Sequence, residues 1–137
     1  MNLAFINALL AVSLFILIWI VQLVIYPSFN FYTEANMRRW HRQYTGRFSI
    51  IVLPLMLGQL GLTAYLAFAQ GSWSTYLIFA LVLSTWLITF TLAVPLHARI
   101  EKKSNTRSER EQLIQINWLR TAAWTLILII SLLRYGK

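Results

Sequence analysis

Long apolar runs separated by short polar stretches set the pattern of this chain. Apolar residues continue almost unbroken over Leu3–Tyr26, Ser49–Ala69 and Thr75–His97, and less cleanly over Leu113–Leu133. Crossing roughly 30 Å of hydrocarbon takes about 20 mostly apolar residues in a helix, and each run meets that length. The pattern predicts an all-α bundle of four transmembrane helices, at about 3–27, 47–69, 75–99 and 110–134, forming one domain over 1–137. Between the first two runs lies "SFNFYTEANMRRWHRQYTGRFS". There Thr33 is an N-cap candidate with Glu34 in the first turn, and aromatics alternate with arginines as in a segment lying in the headgroup layer. A cytoplasmic amphipathic segment is expected at about 33–46, with Gly46 as a weak point if it runs on into the second helix. Pro54 predicts a kink within the second span, and Gly58 and Gly61 predict close helix approach.

Composition fixes the solvent. The chain is 58% hydrophobic and only 12% charged, with a mean hydropathy of +0.62, too apolar for an ordinary soluble domain. The first run lacks a basic leader and a small-residue cleavage site, so it is expected to persist as a span rather than act as a signal peptide. Cysteine is absent, which removes disulfides, thiolate metal ligands and iron–sulfur clusters.

A net charge of +8 raises the question of nucleic acid, and its distribution answers against it. Arg38, Arg39, Arg42 and Arg47 lie between the first and second runs; Arg99, Lys102, Lys103, Arg107, Arg110 and Arg120 lie around the connection of the third to the fourth. The remaining loop, "QGSWS", carries no charge. The positive-inside rule then puts both basic connections in the cytoplasm and both termini on the non-cytoplasmic side, as expected for the cytoplasmic membrane of a bacterium. Arg38, Arg39, Lys102, Lys103, Arg107 and Arg110 are read as solvated charges attracted to anionic lipid.

The stretch "NWLRTAAWT" changes this simple picture. The purely apolar part of the fourth helix, Thr121–Leu133, covers only roughly 20 Å at 1.5 Å per residue, so the helix must draw Asn117 and Arg120 toward the membrane. Helical spacing aligns Asn117, Arg120, Thr121, Trp124, Leu128 and Ser131 in one stripe, which should face protein. A charge at that depth is costly and is normally paired or aimed into a cavity. The other helices supply company at the same level. Trp19, Gln22 and Tyr26 share a face of the first helix; His41 and Tyr44 lead into the second, with Gln59 five turns on; His97 shares a stripe with Trp86, Phe90 and Ala93 on the third. Thr85 and Thr89 read as interhelical glue, and Trp40 as an interfacial belt residue.

These residues restrict the chemistry. Glu34, Glu101, Glu109 and Glu111 are expected in loops, so carboxylate-bridged di-iron sites and carboxylate proton relays are not expected inside the spans, and no intramembrane Lys is available for a Schiff base. No phosphate-binding loop, dinucleotide fingerprint or nucleophile elbow occurs. His41 and His97 could ligate haem, copper or iron. Without a cofactor, a neutral histidine could act as general base, with Asn117 and Arg120 holding the enolate or phenolate that develops. Gln22, Tyr26, Tyr44 and Gln59 would orient the substrate, and Trp19, Trp86 and Trp124 would wall in a flat, lipophilic molecule.

The strings "TFTLAVPLHARI" and "LIQINWLRTAAWT" resemble the C-terminal half of the anthrone-oxygenase-like family of small four-helix membrane proteins. Val94, Pro95 and Leu96 match a Val-Pro-Leu-Asn element, with His97 standing where Asn is usual; Asn117, Arg120 and Thr121 match an Asn-x-x-Arg-Thr element. "VIYPSF", with Tyr26 and Pro27, is similar to a further apolar-Pro element. The likeness is carried mainly by residues 89–125 and implies oxygen-using chemistry on a planar lipophilic ring. The sequence thus leads to a small membrane oxidoreductase or oxygenase acting on a phenol-, anthrone- or quinol-like molecule. Its rivals are a non-catalytic haem-, quinone- or pigment-binding subunit of a larger membrane complex and an assembly scaffold. The expected partners are the bilayer, the lipophilic molecule and other membrane chains, including copies of itself.

Overall fold

The computed structural model describes residues 2–136; Met1 and Lys137, the ends of the expected domain, lie outside them. Four helices are long and apolar enough to cross a membrane: α1 (Leu3–Phe31), α2 (Glu34–Gln70), α3 (Trp73–Lys102) and α4 (Arg107–Tyr135). No strand occurs among the described residues. Each helix packs on its sequence neighbour, and α1 also packs along α4, which closes an up-and-down bundle.

Local sequence sets the boundaries. Asn2 caps α1 by accepting hydrogen bonds from the Ala4 and Phe5 amides at 3.1 and 3.3 Å. The Thr33 side chain accepts from the Asn36 amide at the start of α2, whose last turn ends at Gly71 with φ of 59°, a left-handed conformation that glycine adopts without strain. Ser72 and Thr75 then exchange bonds in a capping box that opens α3.

The expected amphipathic segment is not a separate element. Residues 33–46 supply the N-cap and first turns of α2, one helix of 37 residues, about 55 Å long at 1.5 Å per residue and thus well beyond the hydrocarbon. A mid-helix glycine costs about 1 kcal/mol, too little for Gly46 to break a helix capped at both ends. Gly61 faces open space, and Gly58 meets only Leu10 at an ordinary 3.8 Å; close approach is not what these glycines provide. The acidic residues also differ from expectation. Glu34, Glu101, Glu109 and Glu111 all lie within helices, because the helices outrun their apolar runs.

Arg110, expected in solvent, is buried. It donates to the Phe29 carbonyl at 2.7 Å and to Glu34 at 2.7 Å, while Thr106 donates to the other Glu34 oxygen at 2.8 Å. This clamp ties the end of α1 and the starts of α2 and α4 together. The orphan carbonyl of a terminating helix is satisfied by a charge-assisted bond. Lys103 pairs with Glu109, and Arg107 with Glu111 one turn on. Nearby, Val21, Tyr26, Phe29, Met37, Tyr44, Leu96, Ile100 and Leu113 form one buried cluster; Leu14, Ile18, Met56, Ile78, Val82, Trp124 and Ile127 form another. Members of both clusters line one cavity between them.

Candidate functional site

Two prolines shape the region between the clusters. Pro27 on α1 and Pro95 on α3 each follow a π-helical turn and one further residue: Val21–Ile25 then Tyr26, and Thr89–Ala93 then Val94. The Tyr26 amide donates to the Val21 carbonyl and the Val94 amide to that of Thr89, five residues back in each case. A proline offers no N–H and crowds the carbonyl four residues before it; a widened turn relieves that crowding. Each π turn inserts a residue and swings the next side chains to a new face, and such turns recur at functional sites. Here the swing brings Tyr26 and Val94 to a common space.

That space is a cavity of about 410 Å³ lined from all four helices, with Tyr26, Tyr44, His97, Glu101 and Arg120 as its ionisable side chains and Phe48, Phe90 and Trp124 among its aromatic ones. Ligand pockets commonly run from about 300 to 1,000 Å³ with mostly apolar walls and few polar groups. Leu53 on α2 and Phe90 and Val94 on α3 line the cavity yet are 41%, 51% and 45% exposed. The cavity therefore opens between α2 and α3 onto the apolar flank of the bundle.

Arg120 is held from two directions. Its guanidinium donates to Asn117 Oδ1 at 3.2 Å, and Asn117 Nδ2 donates to Gln22 Oε1 at 2.7 Å; on its other side the guanidinium carbon lies 5.3 Å from the Trp124 ring centroid, within cation–π range. Trp124 is fixed in turn by donating to Gln59 Oε1 at 3.1 Å. Among the described residues Arg120 has no ion pair: the four present join His41 to Glu101, Lys103 to Glu109, Arg107 to Glu111 and Arg110 to Glu34. Its Nε is buried without a hydrogen-bond partner. Buried charges are normally paired, so an uncompensated guanidinium on a cavity wall favours an anion inside it.

Beside it runs a chain of titratable groups. The Tyr26 hydroxyl lies 3.2 Å from His97 Nε2, His97 Nδ1 lies 2.7 Å from His41 Nε2, and His41 Nδ1 lies 3.3 Å from Glu101 Oε1. His97 and Glu101 are one helical turn apart on α3, so both reach the side on which α2 carries His41. The last contact has ion-pair reach without hydrogen-bond alignment, since His41 Nδ1 lacks a bonded partner. With an ionised Glu101, one set of tautomers fits throughout: Tyr26 donates to His97 Nε2, His97 Nδ1–H to His41 Nε2, and His41 Nδ1–H points to Glu101.

The expected residues are thus divided. Tyr26, Tyr44, His97, Arg120 and Trp124 line the cavity. Gln22, Asn117 and Gln59 lie behind it as the supports of Arg120 and Trp124, and His41, fully buried, lies behind His97. Trp19 is elsewhere, donating to Thr125 and edge-on to Trp118. Trp86 is outside the lining and stacks on Phe90, which is part of it. Trp40, expected in the interface belt, stacks between Tyr32 and Tyr44. Along α4 the expected stripe is inward-facing: Asn117, Arg120, Thr121, Trp124 and Ser131 are buried, and Leu128 half-buried. Ser131 accepts from the buried Asn7 at 2.9 Å, a second polar bridge that the sequence left unremarked. Thr85 and Thr89 do not bridge helices; their hydroxyls bond back to the Val82 and Thr85 carbonyls of their own helix. Glu101 was the missed ionisable residue of the cavity, although its spacing of four from His97 was visible.

The histidines do not fit a metal or an axial haem ligand as arranged. Their facing nitrogens are engaged with each other, His97 Nε2 is engaged by Tyr26, and no group of three or more His, Asp or Glu side chains among the described residues is placed to hold an ion. The one ring nitrogen without a hydrogen bond, His41 Nδ1, is buried and faces Glu101 at 3.3 Å instead of open space. Comparison with known proteins returns no match: no family model covers the chain, and no curated protein or solved structure is similar to it.

Proposed function

We propose that this chain is a small membrane oxidoreductase or oxygenase that takes a planar, lipophilic, weakly acidic molecule, such as a phenol, anthrone or quinol, from the bilayer and reacts it as its anion. The observation that carries the reading is the unpaired Arg120 guanidinium in the same cavity as the hydrogen-bonded Tyr26 and His97. Tyr26 and His97 take the proton, and Arg120 holds the charge left behind in a low-dielectric site where a fixed donor acts strongly. Trp124 and Phe90 offer faces for a flat ring. The anion is more electron-rich than the neutral molecule and can reduce dioxygen while the ring is oxidised. The likeness of Val94-Pro95-Leu96 and Asn117-x-x-Arg120-Thr121 to the anthrone-oxygenase-like pattern points to the same class of substrate. The distribution of arginine and lysine favours a cytoplasmic face for the cavity end of the bundle and non-cytoplasmic termini, in a bacterial cytoplasmic membrane.

Oxygen consumption tests the reading. Protein in lipid nanodiscs supplied with anthrone is expected to consume dioxygen faster than anthrone alone and to form the quinone, with the rate falling roughly 100-fold in Arg120→Gln, as when an oxyanion donor is removed. Tight binding without oxygen uptake would mark a non-catalytic pigment- or quinone-binding subunit. Neither binding nor uptake would leave the polar cluster as glue in a scaffold.

A further inference from the structure

We infer that Glu101 and His41 form the proton path of the cavity, a directed wire from Tyr26 through His97 and His41 to Glu101 that carries the substrate's proton to the basic end of the bundle. The inference rests on the proposed reaction of an acidic substrate, and it assigns work to two groups that need not touch that substrate. His41 is fully buried and absent from the cavity lining, yet it sits 2.7 Å from a histidine that lines it. A buried imidazole whose second nitrogen has no aligned partner is costly unless that nitrogen has a use. The carboxylate facing it is 34% exposed and lies one residue before the exposed Lys102 at the end of α3. Among the contacts of the wire, the one to Glu101 is the only one that a small rotation of a half-exposed side chain would complete or break.

The transfer balances with no reagent other than water. The substrate's proton passes to the Tyr26 oxygen as the Tyr26 proton passes to His97 Nε2; the His97 Nδ1 proton passes to His41 Nε2, and the His41 Nδ1 proton to Glu101. Glu101, whose side chain is 34% exposed, passes the proton on to water and is ionised again, so the negative charge left on the substrate sits beside Arg120. Both imidazoles stay neutral and exchange tautomers. The reverse sequence, reprotonating a product anion for release, restores them. Tyr26, Tyr44, Glu101 and Arg120, one from each helix, are the other titratable groups of the cavity that His97 lines.

Two measurements test the wire. Nitrogen-15 shifts of the imidazoles in the full-length protein without ligand are expected to show protonated Nδ1 and bare Nε2 in both His41 and His97. The opposite tautomer at either ring overturns the wire, whatever binds in the cavity. The second measurement mixes the protein rapidly with 2-hydroxyanthraquinone, whose absorption moves to longer wavelength on ionisation. A conduit changes rate and not equilibrium, so Glu101→Gln is expected to form the anion band roughly tenfold or more slowly, without loss of final amplitude and with a changed solvent isotope effect. An unchanged rate and isotope effect in Glu101→Gln overturns the wire; a wild-type protein that binds the dye only in its neutral form overturns the proposed reaction, and the tautomers then decide the wire separately.

Discussion

Replacing Arg120 by glutamine removes the only guanidinium in the cavity lining while leaving an amide able to meet Asn117. The side chain gives one hydrogen bond, to Asn117 at 3.2 Å, and one ring contact, to Trp124 at 5.3 Å; it lines the cavity with its Nε unbonded. A hydrogen bond to a charged partner contributes about 1.5 to 3 kcal/mol. At 1.4 kcal/mol per decade, an anionic ligand should lose roughly tenfold to 150-fold in affinity. A neutral ligand of the same shape can still accept from the guanidinium but brings no opposite charge to it, so it should lose far less. Trp124 lies in the cavity wall, so quenching of tryptophan fluorescence reports occupancy. We expect Arg120→Gln to weaken binding of 2-hydroxyanthraquinone above its ionisation pH by that factor, and to change binding of its methyl ether by less than about threefold, well under one decade. Stability should move the other way. A buried cation whose Nε has no partner costs folding free energy, and its removal is expected to hold or raise the melting temperature. Equal losses for the anion and the ether, or a lowered melting temperature, would show that Arg120 props the bundle open instead of binding charge.

Three further predictions concern the supports of the site. Trp124→Phe leaves Gln59, whose Nε2 already lacks a partner, without the indole donor as well, and is expected to destabilise the bundle by about 1 to 3 kcal/mol; adding Gln59→Leu should recover most of that loss in thermal melts, whereas additive losses would deny the pairing. Arg110→Ala strands Glu34 and the Phe29 carbonyl and should cost about 2 to 4 kcal/mol, toward the low side of a broken buried pair because Glu34 keeps part of its surface in solvent; a neutral result would return Arg110 to the solvated charges. Reporter fusions after Gly71 and after Asn105 are expected to signal the non-cytoplasmic and cytoplasmic sides respectively, and a cytoplasmic signal at Gly71 overturns the orientation.

What could be read from the sequence follows from which forces act locally. The four spans and the inward stripe of α4 were legible because hydrocarbon thickness and helical period act on consecutive residues. Gln59 could be aligned with His41 and Tyr44 for the same reason, once α2 was taken as continuous. Beyond the Thr33 cap, the boundaries near the basic end were not legible, since the Arg110 clamp, and not hydropathy, decides how far the helices run there. That error hid Glu101. Treated as a loop residue, it had no direction; on α3 it is one turn from His97 and faces α2. The π turns were hidden as well, because a proline within an apolar run announces a distortion without saying which kind. Trp19 and Trp86 share helical faces with cavity residues, but face-sharing over several turns does not fix depth, and both fall outside the lining.

The most direct test of the central claim is an absorption titration of bilayer-reconstituted wild-type protein with 2-hydroxyanthraquinone, at a pH about one unit below the ionisation of the free dye. An uncompensated guanidinium lowers the free energy of the bound anion, and one pH unit corresponds to only about 1.4 kcal/mol. The account predicts a saturable, stoichiometric band of the ionised dye that disappears in Arg120→Gln. Dye that binds with the spectrum of its neutral form, or an ionised band that survives Arg120→Gln, would contradict it.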